Sequence, residues 1–97
     1  MALKTEQLFI SAVLRQEDHK TPVLAGVKPK WFISFYDEWN WISRYIDRHR
    51  SCPSKVLFRN TFPEFQILKS DDIEYCISEL REEYLKRGLL ASTEKVI

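Results

Sequence analysis

The sequence predicts a small all-α domain, a helical bundle around one aromatic-rich helix, with a long C-terminal helix. Three observations carry this reading. Apolar residues recur at helical spacing in three long segments, near residues 5–16, 34–50 and 71–90. Only two glycines are present, which argues against a sandwich of many tight turns and against a phosphate-cradling loop. The chain has 97 residues, 44% hydrophobic and 30% charged, which is enough for one core but not for two.

The aromatic-rich helix lies within Lys28 to Arg50, which holds all three tryptophans, Trp31, Trp39 and Trp41. Phe35, Trp39, Ile42, Ile46 and His49 follow one another at steps of four and three, so they line one helical face. Trp41 and Tyr45 form a flanking stripe. Asp37 and Glu38 stand in the first turn and Arg48 and His49 in the last, which suits the helix dipole. The start is placed near Ser34, and Trp31, Phe32 and Ile33 are expected to plug the core ahead of it.

The first helix is expected to begin at Thr5 as N-cap, with Leu8, Phe9, Ala12 and Val13 inward and Ile10 and Leu14 on the flank. It should fade between Gln16 and Asp18. Thr21 to Ala25 reads as one helical turn, opened by Pro22 and closed by Gly26. After Arg50, the run SCPS breaks the helix, and Ser54 caps a brief helix over Lys55 to Arg59, with Val56, Leu57 and Phe58 facing in by turns. Pro63 disfavours helix at Phe62, so NTFPEFQILKS reads as extended or irregular. Its FQIL has the look of a strand with no pairing partner. Asp71 and Glu74 then resemble a capping box opening the last helix. Ile73, Ile77, Leu80 and Tyr84 share its inner face, with Cys76 beside them. Glu79, Arg81, Glu82, Glu83, Lys86 and Arg87 form a charged outer face, with Glu82–Lys86 and Glu83–Arg87 as favourable pairs. Gly88 is a possible stop or kink.

Several function classes lose their footing on these residues. A formal net charge of +1 gives no bulk electrostatic argument for nucleic acid or a membrane. No apolar run approaches the ~20 residues that span a bilayer, and MALKTEQ has no signal-like apolar segment. A cytoplasmic location and free thiols at Cys52 and Cys76 are therefore expected. His49 and Cys52 lack the second close pair that zinc needs, and their nearness in sequence is weak warrant for a nucleophile. No cofactor or metal is expected in this chain. The carboxylate pairs at Asp37–Glu38 and Asp71–Asp72 sit at helix starts, where capping explains them. No G-x-x-x-x-G-K-[ST] occurs, so nucleotide hydrolysis is not expected from this part.

One cluster resists the bland reading. Arg44, Arg48, Arg50, Lys55 and Arg59, with His49, fall between residues 44 and 59 near Trp39, Trp41 and Phe58. Bases beside aromatic rings are the footprint of a nucleic-acid module. The tryptophans also fit the core period, and the acidic last helix balances the charge. A protein contact or solvated rim is therefore preferred over direct DNA binding.

Together these segments are similar to the N-terminal domain of replicative, DnaB-type DNA helicases. TEQLFISAVL resembles that family's opening helix, where a Glu-Gln pair precedes small and aliphatic residues. VKPKWFISFYDEWNWISRYIDRHRSCPS resembles the next block, with Phe32, Ile42 and Ile46 at its core positions. DDIEYCISELREEYLKRGLL looks like the block that ends the head and starts the helical hairpin. The likeness spans residues 5 to 90 and is closest in wording to phage-encoded helicases. Ser11 stands where a glycine is common, FPEFQILKS is longer than the usual connection, and only one helix of the hairpin is visible.

The resemblance implies a single non-catalytic helical domain, residues 5–70 forming the head and 71–97 the start of the hairpin. It implies DNA replication as the setting, self-association into a ring collar, and contact with primase or a helicase loader. Ile77, Leu80, Tyr84, Leu85, Leu89 and Leu90 are the candidate self-association residues. The chain stops on Val96 and Ile97 with no polar tail, so we expect a fragment of a longer helicase whose ATP- and magnesium-dependent motor follows Ile97. The alternatives are a stand-alone DNA-binding or helicase-modulating protein using residues 44–59, and a helical adaptor unconnected with nucleic acid.

Overall fold

The computed structural model describes the backbone of residues 2–69 and 72–96 and the side chains of residues 5–69 and 72–87. Its elements are α1 (Ala2–Gln16), α2 (Lys20–Ala25), a 3-10 turn (Pro29–Trp31), α3 (Tyr36–His49), α4 (Lys55–Thr61) and α5 (Ile73–Val96). Among the described residues there is no strand, and the all-α bundle expected from periodicity is what forms.

The helix most completely enclosed is α1, in which every residue from Phe9 to Leu14 is fully buried, including Ser11. Its broad apolar face closes on all sides because α5 runs along it while Phe32 and Trp39 meet Phe9 from the side of α3. The Phe9–Trp39 rings meet edge to face at 4.9 Å and Phe32 stacks on Trp39 at 5.7 Å. A second aromatic chain runs from Trp41 through Phe58 and Phe65 to Phe35 and seats α4 against α3. Each such side chain taken wholly from water contributes about 2–3 kcal/mol.

Five local expectations are corrected. Thr5 does not cap α1, which begins at Ala2; its hydroxyl instead donates to Glu83 Oε1 at 3.1 Å. α2 starts a residue earlier because Asp18 caps it, Oδ1 accepting from the Lys20 and Thr21 amides. Ile33 is 61% exposed, so the core plug consists of Trp31 and Phe32 alone. On α4 only Phe58 is buried, since three consecutive helical positions cannot face one way; Val56 and Leu57 are exposed. His49 is exposed, so the buried stripe of α3 ends at Ile46, where the helix outruns the body.

Helix ends follow local chemistry. Gly26 takes φ 73°, and the Gly26 and Val27 amides bond back to Val23 and Pro22 in a Schellman closure of α2. Ser54 caps α4 as expected, its Oγ accepting from the Leu57 amide at 3.1 Å. At the start of α5 Asp72 Oδ1 accepts from the Glu74 amide; Asp71, the residue expected there, lies outside the described residues. Gly88 neither stops nor caps α5, which remains helical to Val96.

Candidate functional site

The expected self-association residues divide by position on α5. Ile77 and Leu80 are buried in the domain's own core, so neither is available to a second copy. Tyr84 is half-buried and stacks on Trp31 at 5.6 Å. Leu85 turns outward and is 54% exposed. The side chains of Leu89 and Leu90 lie outside the described residues. The 24 residues of α5 span about 36 Å at 1.5 Å per residue, against short molecular axes of 24 and 23 Å.

Part of the charged outer face of α5 is recruited to structure. Arg81 Nη2 donates to the Ala25 carbonyl at 3.2 Å, and its guanidinium lies 5.8 Å from the centre of the Trp31 ring. Arg87 Nη2 donates to the Trp31 carbonyl, and its guanidinium lies 5.9 Å from the Tyr84 ring. The expected Glu83–Arg87 pair is thus drawn into tertiary contacts, Glu83 toward Thr5 and Arg87 toward Trp31. Glu82 and Lys86 are exposed.

The basic stretch does not form one surface. Arg44, Arg48, Arg50, Lys55 and Arg59 are all exposed, but they serve different faces. Arg44 and Arg48 flank a shallow depression on α3 lined by Trp41, Tyr45, Asp47 and His49. Within it Trp41, Tyr45 and His49 form a ladder one helical turn apart, with ring centres 5.8 and 4.5 Å from each other. Arg50 turns instead toward α2, where it joins His19, Lys20, Val23 and Leu24. Lys55 and Arg59 stand on α4.

The thiols have different surroundings. Cys76 is buried, as expected of the inner face of α5. Cys52 is half-buried with Sγ 3.6 Å from the Val13 carbonyl, and burial, reinforced by Glu17 and Asp18, pushes its thiol up to about 11. A thiol in that state is a poor nucleophile near neutrality. Among the described residues no group of three or more His, Cys, Asp or Glu comes together as a metal site. No helix searched among them is long and apolar enough to cross a membrane.

Two features had no signal in the sequence. Glu6 is buried, yet its carboxylate accepts from the Ile33, Ser34 and Phe35 amides at 3.1, 3.0 and 2.9 Å. The partners lie 27 to 29 residues away, so only the tertiary fold reveals that this acid anchors the start of α3. The other is the groove between α2 and α3, whose walls come from separate segments and include Arg44 and Lys28. Comparison with protein-family models, with curated proteins and with solved structures found no match.

Proposed function

We propose that this chain is a non-catalytic scaffold domain that works through protein contacts. The observation that supports it is Leu85, an exposed leucine on a helix whose inner face is already filled by Ile77 and Leu80. An apolar side chain in that position supports a second protein surface along α5. Together with the helicase-like segments, the reading is an N-terminal domain of a phage-type replicative helicase. Copies pair along α5 into a ring collar and offer a surface to primase or a loader. The ATP- and magnesium-dependent motor then belongs to a separate part of a longer chain.

Sedimentation over about a hundredfold range of concentration tests the pairing. A concentration-dependent dimer is expected, with Leu85→Glu raising its dissociation constant about tenfold or more. A strict monomer at the highest concentration overturns the self-association reading.

A second reading has its own support. The Trp41–Tyr45–His49 ladder flanked by Arg44 and Arg48 has the composition of a base-stacking platform. Salt-sensitive binding of single-stranded DNA that Arg48→Ala weakens, in a chain that stays monomeric, would favour this reading over the scaffold.

A further inference from the structure

The groove between α2 and α3 consists of two adjoining depressions of about 330 and 270 Å³ that share Val23, Ile46 and Asp47. Two independent observations meet there. Its α2 wall is apolar and uncovered, with Val23 58% and Leu24 87% exposed. Its rim carries four cationic side chains, Lys20, Lys28, Arg44 and Arg50, against Asp47 as the one acidic lining residue.

Exposed leucine and valine on the α2 wall offer apolar anchorage, and the cations set the sign of what approaches. A nucleic acid would satisfy the cations but not the aliphatic wall.

We propose that the α2–α3 groove is a docking site for an acidic, amphipathic segment of a partner protein. Aliphatic or aromatic side chains of that segment cover Val23 and Leu24, and its carboxylates meet the Lys20, Lys28, Arg44 and Arg50 rim. The proposal stands on this groove alone and is separate from pairing along α5, so either can fail without the other.

The test is a display library of random peptides, about four helical turns long, panned against the full chain. Enriched peptides should combine Asp and Glu with at least two large apolar residues. Leu24→Asp, at an exposed position, and the double change Lys20→Glu with Arg44→Glu should each weaken their binding about tenfold or more, with helicity unchanged by circular dichroism. Exchanging Glu for Lys in a selected peptide should restore binding to the doubly reversed chain. No enrichment, enrichment of basic or purely polar peptides, or selected peptides indifferent to these substitutions would overturn the proposal. So would an oligothymidylate that displaces the peptides and is itself weakened by Leu24→Asp.

Discussion

A buried acid can mark a catalytic group or a structural clamp, and Glu6 is the second kind. Each carboxylate oxygen is engaged by backbone amides at the entry to α3, where donors have no intrahelical partner. The negative charge also faces the positive end of that helix. Its surroundings are felt nearby: burial raises the Glu38 carboxyl above its usual value, and Asp37 and Glu6 push it the same way. Removing the clamp strands three amides. Glu6→Ala should cost about 2–4 kcal/mol in urea unfolding, and Glu6→Gln, which keeps one acceptor oxygen, about half that. A loss below about 1 kcal/mol for the alanine variant would show that water replaces the carboxylate at no cost.

At the scale of elements, the FQIL segment shows why a pattern suggestive of a strand need not become one. Its main chain lies against α1, where Gln7 Nε2 donates to the Gln66 carbonyl at 2.8 Å and Ser11 Oγ accepts from the Leu68 amide at 2.9 Å. Gln7 and Ser11 are one helical turn apart, so a helix edge supplies side-chain partners to an extended segment. Serine at position 11 is therefore the acceptor that ties this segment to α1. Ser11→Ala removes that acceptor with little change of volume and leaves the Leu68 amide unpaired. A stability loss of about 1–3 kcal/mol is expected, together with faster hydrogen exchange at Leu68. A neutral substitution with unchanged exchange would show that Phe65, Ile67 and the Gln7 contact hold the segment without Ser11.

At the scale of the molecule, the sequence was legible where information is local. Period located the three long helices, Gly26 and Ser54 marked the end of α2 and the start of α4, and the Phe35–Trp39–Ile42–Ile46 stripe found the aromatic centre. What it could not convey is which segments meet. The Glu6 clamp, the recruitment of Arg81 and Arg87 to Trp31, and the groove facing Arg44 and Arg50 all depend on residues far apart in the chain. The basic stretch divides for the same reason: Arg44 and Arg48 stand on α3, Arg50 lies beside α2, and Lys55 and Arg59 stand on α4. That one cluster of buried side chains joins α1, α3 and the first half of α5 has a thermodynamic consequence. Trp39 touches Phe9 of α1 and Phe32 ahead of α3, so losing that ring loosens the packing of α1 and α3 within the shared cluster. Tryptophan fluorescence and far-UV ellipticity should therefore melt at one temperature, as in a two-state unit. Trp39→Ala should cost about 3–5 kcal/mol and lower that shared midpoint by about 12 °C or more. Separate midpoints, with fluorescence lost while most helicity persists, would mean that α5 and the aromatic centre fold as independent parts.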